Sequence, residues 1–307
     1  MPLALFRELM QDAERGNYAV GYFECWNLES LLAVADAAEA MRSPVILGFS
    51  GVYLPHPERR VADPLAVYAA MGTEVGRRLT VPCCLLFNES PHLDWVLEAI
   101  RLGFQLVMYT PDDTGFAERV RGVREVVEQA HSQGIAVEGE LAALVGVGGE
   151  LTEEPAERRL TDPEAARRFV EETGVDALAV NVGQVHLHGR RAVTLDLERL
   201  RAIRQAVAVP LVLHGATSVE RESLRAAIAL GVRKINVGSA LKQAYFRALC
   251  RACDEQRHHP NPYEVIGSGL PLDVLVAGRL AMQAVVEEFM RDFGSAGAGN
   301  SHTSPER

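Results

Sequence analysis

Eight short apolar segments recur along the chain, and longer amphipathic segments separate them. Each apolar segment is hydrophobic nearly throughout, which is typical of parallel strands that are covered on both faces. The amphipathic segments have helical spacing; the one at 218–231 begins with Ser218 as a candidate N-cap and stops at Gly231. The apolar segments are YAVGYFE (18–24), SPVILGFS (43–50), VPCCLLF (81–87), FQLVMYT (104–110), IAVEGE (135–140), VDALAVN (175–181), VPLVLHG (209–215) and RKINVGS (233–239).

Eight strands, each followed by a helix, within 307 residues predict an α/β fold of the (β/α)8 or TIM-barrel type. A doubly wound sheet produces a similar alternation, but it usually has fewer strands in this length. Because no linker divides the sequence, we expect one barrel domain over residues 1–292, with N-terminal and C-terminal helical extensions. The Gly/Ser-rich segment 293–307 is expected to be a disordered tail.

Composition and charge exclude several classes of protein. A hydrophobic content of 48% and a charged content of 23% are ordinary for a soluble globular protein. The net charge of -10, without any Lys/Arg cluster, argues against nucleic-acid binding. No run approaches the roughly 20 apolar residues of a membrane span, and the N-terminus lacks the apolar core of a signal peptide. Five cysteines, two of them adjacent, do not suggest a disulfide framework. We therefore expect a cytoplasmic protein.

Polar residues follow the apolar segments at the predicted strand ends. In a barrel of this type the active site is built at the C-terminal ends of the strands. The sequence therefore predicts a polar site at one end of the barrel. The residues at these ends are Glu24, Ser50, Asn88, Glu89, Thr110, Glu140, the segment 181–188, His214, Gly215 and the segment 236–239.

Two histidines in this set point to a metal. His186 and His214 each come just after a strand, in VGQVHLHG and LVLHG. A strand-end histidine alone is more often structural or a substrate contact, but two imidazoles and one carboxylate can form a three-ligand divalent metal site with open positions. Glu89 is the favoured carboxylate, and Glu140 is its competitor. His188 is a further, less securely placed candidate.

The segment HGATS (214–218) leads directly into a helix and exposes backbone N–H groups to an anion. KINVGS (234–239) brings Asn236 and Ser239 beside it. Taken alone, HGATS is equally well an ordinary N-cap. Because phosphate binding after the seventh and eighth strands recurs in such barrels, phosphate is the favoured interpretation.

The chain resembles the class II, metal-dependent fructose-bisphosphate and tagatose-bisphosphate aldolases over nearly its whole length. This resemblance implies a (β/α)8 barrel, a homo-oligomer (dimer or tetramer), a phosphorylated sugar substrate and a divalent metal, most often Zn²⁺. The segments that carry it are NLESLLAVADAAEAMRSPVILGFSG (27–51), AIRLGFQLVMY (99–109), VEGEL (137–141), VGQVH (182–186), VPLVLHGATS (209–218) and GVRKINVGSAL (231–241).

The resemblance also assigns roles to individual residues. It makes His186 and His214 zinc ligands and places the Glu140 carboxylate near the metal. Asn236 matches a contact to the ketone-bearing half of the substrate. The positions that match phosphate-binding or substrate-facing residues are Ser50, Gly183, Gly215, Thr217 and Ser239.

The chain differs from the family at several positions that match its catalytic and metal-binding residues. Where the family has H-x-D-H-G, this chain has LFNES (86–90), so Asn88 replaces the aspartate that moves the hydroxyl proton and Glu89 replaces a third histidine ligand. Glu24 replaces a substrate-facing asparagine, and Thr110 replaces an aspartate. The nearest candidates for the displaced loop acid and the phosphate-facing lysine are Glu150, Arg190 and Arg191.

These departures change what the site can do. A carboxamide cannot accept and return a proton near neutral pH, so Asn88 is not a general base of the usual kind. Glu89 can still bind a cation together with two histidines, and a carboxylate makes Mn²⁺, Fe²⁺ or Co²⁺ alternatives to Zn²⁺. Glu24 offers a carboxylate that can replace the missing proton carrier, with Glu140 and Asn88 also at the aldehyde end.

Three functional hypotheses follow. The first is a class II aldolase-like lyase that cleaves a phosphorylated ketose into a dihydroxyacetone-phosphate-like product and an aldehyde. The second is a sugar-phosphate epimerase or isomerase that uses the same metal-enediolate site without cleaving the bond. The third is a non-catalytic aldolase paralogue in which Glu24 and Glu89 pair with arginines.

Overall fold

The predicted strands pair in parallel in chain order, and the last strand closes onto the first to form a barrel. The structure is a computed structural model that describes residues 3–111, 114–141, 160–184 and 193–300. Together with the helices between the strands, this closed sheet confirms the predicted (β/α)8 barrel. The strands are β1 Val20–Cys25, β2 Val45–Ser50, β3 Cys83–Ser90, β4 Leu106–Tyr109, β5 Ala136–Glu140, β6 Ala177–Val180, β7 Leu211–Leu213 and β8 Val232–Val237.

Helices connect the strands on the outside of the barrel, and further helices precede β1 and follow β8. None of the described helices combines the length and the apolarity that crossing a bilayer requires. The helices are α1 Phe6–Gly16, α2 Leu28–Met41, α3 Leu65–Arg78, α4 Leu93–Arg101, α5 Phe116–His131, α6 Pro163–Thr173, α7 Leu197–Ala206, α8 Arg221–Ala229, α9 Ser239–Glu255, α10 Pro262–Val265 and α11 Val274–Asp292.

The alternation of side chains along each strand divides the apolar core in two. One set packs between the sheet and the surrounding helices and includes residues such as Phe23, Leu47 and Phe87. The other set fills the barrel interior, where Tyr22 and Leu86 pack with residues of α1. Helix α1 therefore closes the end of the barrel opposite to the C-terminal strand ends.

Strand β3 extends further at its C-terminal end than the sequence predicted. It continues through Asn88 and Glu89 to Ser90, and its register with β4 shifts between Phe87 and Ser90. At this irregularity Glu89 has a φ of 52°, in the left-handed region that non-glycine residues rarely adopt. Consecutive residues of a regular strand point to opposite faces, whereas a bulge can re-aim a side chain. The shift lets the Asn88 and Glu89 side chains meet.

The packed chain extends beyond residue 292, where we expected a disordered tail to begin. Phe293 and Ser295 are buried, and the Ser295 hydroxyl is 2.8 Å from that of Ser43. The backbone N–H groups of Gly297 and Gly299 donate to carbonyl groups at the end of α2. The predicted boundary is therefore wrong for residues 293–299, because these contacts hold them; residues 301–307 lie outside the described residues.

Close approach of β2 and β3 gives the first testable prediction. A Cβ added to Gly48 would lie 2.1 Å from the Leu86 carbonyl oxygen, a backbone atom that cannot rotate away. We expect Gly48→Ala to lower the free energy of unfolding by about 2–3 kcal/mol or more, measured by urea denaturation. Gly115→Ala is the control, because no atom of the described residues lies within 4 Å of the added Cβ. Equal stabilities of the two variants would contradict the prediction.

Candidate active site at the C-terminal strand ends

Six polar side chains form a closed ring at the C-terminal ends of the strands. Five hydrogen bonds and one ion pair connect them, and the ring spans strands β3, β5 and β8 and the residue after β7. In order around the ring they are Lys234, Asn236, Asn88, Glu89, His214 and Glu138.

The amide half of the ring runs from β8 to β3. The Lys234 ammonium donates to Asn236 Oδ1 at 2.5 Å. Asn236 Nδ2 lies 3.4 Å from Asn88 Oδ1, and Asn88 Nδ2 donates to Glu89 Oε2 at 2.7 Å. The amides therefore link a cation inside the barrel to a carboxylate at its mouth.

The charged half of the ring closes through the histidine. His214 Nδ1 is 3.1 Å from Glu89 Oε1, and His214 Nε2 is 2.8 Å from Glu138 Oε1. Glu138 Oε2 in turn lies 2.8 Å from the Lys234 Nζ, as an ion pair between two fully buried side chains. Two positive and two negative groups alternate here, so the ring is electrically neutral when His214 is protonated.

The ring geometry shifts the pKa values of its members. Burial alone would lower the pKa of His214, but the adjacent Glu89 and Glu138 carboxylates raise it to about 10. Burial would raise the pKa of Glu138, but Lys234 and His214 hold it below its ordinary value. The pKa of Lys234 is lowered because burial of the ammonium outweighs its attraction to Glu138. Both carboxylates therefore favour the protonated form of His214; as a metal ligand, its Nδ1 would bind the ion in place of that proton.

Glu138 and Lys234 were not among our candidate residues, although both lie in segments that we singled out. The two-residue period of a strand gives the signal that was missed. Glu138 is two residues from Glu140, and Lys234 is two residues from Asn236, so each lies on the same strand face as a predicted site residue.

Glu140 lies at the end of β5 and is buried, and its Oε2 atom has no hydrogen-bond partner among the described residues. Burial raises the pKa of Glu140 to about 8, and the charges of Glu89 and Glu138 reinforce this rise against the opposing charge of His214. A carboxyl group with this pKa exchanges protons near neutral pH.

Glu24 lies at the end of β1, on the side of the barrel mouth opposite to Glu140 on β5. Its Oε1 atom is 2.6 Å from the Lys242 Nζ in the first turns of α9. The same ammonium lies 4.3 Å from the centre of the Tyr53 ring and 5.7 Å from that of Trp26. Glu24 thus pairs with a lysine on α9, a partner that the sequence did not suggest.

The predicted phosphate-binding residues lie on the segments that follow β7 and β8. Gly215 has a φ of 67° and precedes a short 3-10 turn that includes Thr217. Ser239 begins α9 directly after Gly238, and Asn236 belongs to the ring.

The other two predicted binding residues lie elsewhere at the barrel mouth. Gly183, with a φ of 112°, donates its backbone N–H to Asn181 Oδ1 after β6. Ser50 is buried at the end of β2, and its hydroxyl accepts the Val52 N–H at 3.3 Å. These roles stay predictions.

The donor set of the ring fits a divalent cation. Glu89 Oε1 and His214 Nδ1 are 3.1 Å apart, a separation that two ligands of one ion can have. Glu138 accepts from the other imidazole nitrogen, as carboxylates commonly do beside metal-bound histidines. Within the described part of the chain, no group of three His, Cys, Asp or Glu side chains converges as a metal site. The predicted ligand His186 lies outside that part, as do His188, Glu150, Arg190 and Arg191.

Comparison with known proteins identifies the family of this barrel. The profile described as fructose-bisphosphate aldolase class-II matches residues 5–298. The chain belongs to this family. Among similar solved structures, the YdjI aldolase from Escherichia coli K12 is 30% identical, with a TM-score of 0.78, 97% of this chain covered and 100% of that one.

Two further structures extend the comparison. A proposed fructose-1,6-bisphosphate aldolase from Coccidioides immitis is 28% identical, with a TM-score of 0.79 and coverage of 96% of this chain and 98% of that chain. Fructose-bisphosphate aldolase from Campylobacter jejuni is 19% identical, with a TM-score of 0.77 and coverage of 97% of both chains, which supports the fold. Class II aldolases generally depend on a divalent metal ion, and membership of this family supports an aldolase-type lyase.

The buried Glu140 gives a prediction for the pH dependence of stability. Because its pKa is raised on folding, the folded protein binds this proton more tightly than the unfolded chain does. This stabilisation is complete below about pH 4 and is lost as the pH rises through about 8. The free energy of unfolding of Glu140→Gln, relative to that of the wild type, should therefore rise by on the order of 1–3 kcal/mol between pH 5 and pH 8.5.

Urea unfolding in the presence of a chelator measures this difference at each pH. Glu125→Gln, which removes one exposed negative charge on α5, is the control. A stability difference between wild type and Glu140→Gln that is the same at every pH would show that Glu140 is not protonated on folding.

Proposed function

We propose that this aldolase catalyses the metal-dependent, reversible aldol cleavage of a phosphorylated ketose to a dihydroxyacetone-phosphate-like product and an aldehyde. The observation that carries the proposal is the 3.1 Å approach of the Glu89 carboxylate to His214 Nδ1, at the strand ends of a class II aldolase barrel. Glu89, His214 and His186 are the proposed ligands of the ion. When bound, the divalent cation supplies positive charge that polarises the substrate ketone.

The proposed phosphate site lies on the loops after β7 and β8. Gly215 directly precedes a short 3-10 turn and Thr217 lies within it, whereas Ser239 lies at the N-terminus of α9, where a helix favours an anion. Asn236 would contact the ketone-bearing half of the substrate. Ser50 and Gly183 complete the proposed set of binding residues.

Aldol cleavage requires removal of a hydroxyl proton and return of a proton to carbon. Asn88 cannot carry this proton, because both ends of its amide are occupied by Asn236 and Glu89 and an amide does not titrate near pH 7. Glu140 is the proposed proton carrier, since its pKa of about 8 lets it exchange protons in this range. Glu24 is the proposed polar contact at the aldehyde end, where Lys242 holds its carboxylate.

We extend the proposal to the metal, the assembly and the location. The mixed nitrogen and oxygen donors suit Zn²⁺, with Mn²⁺, Fe²⁺ and Co²⁺ as alternatives. A homo-oligomer is supported by large apolar side chains that are exposed on or near the last three helices, and light scattering measures its size. We propose the cytoplasm as its location. The exposed side chains are Phe246, Tyr263, Ile266, Leu270, Leu272 and Leu280.

A coupled cleavage assay tests the proposed reaction. We expect the chelated enzyme to be inactive on a panel of ketose mono- and bisphosphates and Zn²⁺, Mn²⁺ or Co²⁺ to restore cleavage. Glu140→Gln should lower kcat by about 100-fold or more because proton transfer is lost, and His214→Ala should lower stoichiometric metal binding as well. Glu125→Gln is the control.

Two outcomes would overturn the proposal. Stoichiometric metal with no cleavage of any ketose phosphate would argue against a lyase. Solvent deuterium in recovered substrate, without release of aldehyde, would assign the site to an epimerase or isomerase instead.

A further inference from the structure

The direction of every hydrogen bond in the amide half of the ring is set by one group. Lys234 is fully buried, and an ammonium can only donate. It therefore faces the oxygen of the Asn236 amide, which turns the Asn236 NH₂ group toward Asn88. The Asn88 oxygen accepts from this group, and its own NH₂ group is left to face Glu89.

The Glu89 carboxylate is held from both sides. Asn88 Nδ2 contacts one oxygen at 2.7 Å, and His214 Nδ1 contacts the other at 3.1 Å. Asn88 is 3% exposed, so water does not readily replace it as the donor. The bulge in β3 fixes the backbone from which Glu89 departs. Removal of Asn88 would take away this contact to the carboxylate and leave the Asn236 donor without its partner in the ring.

We propose that Asn88 is a positioning residue for Glu89 and that the two act as one unit, which an aspartate at position 88 cannot replace. The proposal rests on the proposed function in one respect, because Glu89 is there a metal ligand. It gives the departure from the family a positive role: Asn88 is the donor that a carboxylate at position 89 requires.

The same geometry predicts that the family residue is harmful here. An aspartate at position 88 would accept from Asn236, but it would face the Glu89 carboxylate with no hydrogen between two like charges. Exchange of both groups removes the conflict. In N88D/E89Q the aspartate accepts from Asn236 and from the glutamine NH₂, and the glutamine oxygen accepts from His214. The number of charges is then that of the wild type.

A double-mutant cycle in the presence of a chelator tests the unit without metal. We expect Asn88→Asp to lower the melting temperature by roughly 5 °C and N88D/E89Q to recover most of this loss. Glu89→Gln alone completes the cycle. If N88D/E89Q lowers the melting temperature by as much as the two single substitutions do together, the proposal is overturned.

Cobalt binding tests whether Asn88 acts through Glu89 on the metal. We expect Asn88→Leu to weaken Co²⁺ binding by about tenfold and to change the visible spectrum of the bound ion. Glu125→Gln is the control, because Glu125 is exposed on α5, away from the strand ends. A lower melting temperature with an unchanged affinity and spectrum would mean a structural role only and would overturn the proposal.

Co²⁺ binding by the wild type distinguishes failure of the metal site from failure of the role of Asn88. If wild type binds no Co²⁺, the proposed metal site fails, and the role of Asn88 toward it fails as well, whatever the melting cycle shows. If wild type binds Co²⁺ but Asn88→Leu binds it equally, only the role of Asn88 fails. Should Asn88→Leu not fold, the melting cycle decides, since N88D/E89Q keeps a donor opposite an acceptor in the contacts of position 88 with Asn236 and of position 89 with position 88 and His214.

Discussion

The ion pair between Lys234 and Glu138 determines how the polar end of this barrel is arranged. Transfer of an ammonium and a carboxylate from water into the barrel costs several kcal/mol for each ion, and their attraction offsets this only if further hydrogen bonds satisfy the remaining donors and acceptors. Asn236 and His214 provide such partners. Asn236 and His214 in turn contact Asn88 and Glu89, so the hydrogen bonds that begin at the buried ion pair continue to the mouth of the barrel.

The barrel geometry makes these linked hydrogen bonds possible. Parallel strands align their C-terminal ends, and their two-residue period directs alternate side chains into the interior. Regular strands alone would not bring Asn88 and Glu89 together, because neighbours along a strand face opposite ways. The bulge at the end of β3 supplies the exception. The contact between Asn88 and Glu89 thus depends on a local irregularity of the sheet.

The sequence predicted the barrel well because each strand is an apolar run that is visible in isolation. It also identified Asn88, Glu89, His214 and Asn236, because each comes at or near a strand end. It missed Glu138 and Lys234, although each lies two residues from a predicted site residue, because their pairing joins residues almost a hundred positions apart. The tail was misjudged for a similar reason: composition shows that residues 294–299 are Gly, Ala and Ser, but not that the end of α2 accepts their hydrogen bonds.

The closed ring also constrains how such a site can arise over generations. In a chain of matched donors and acceptors, a change at one position alone leaves a buried group unsatisfied, and a second change must follow before the loss is relieved. An ancestor with the aspartate–histidine pair of the wider family would thus have met a barrier between two compatible states. We expect the asparagine and the glutamate to be inherited together, so that relatives with one of them also have the other.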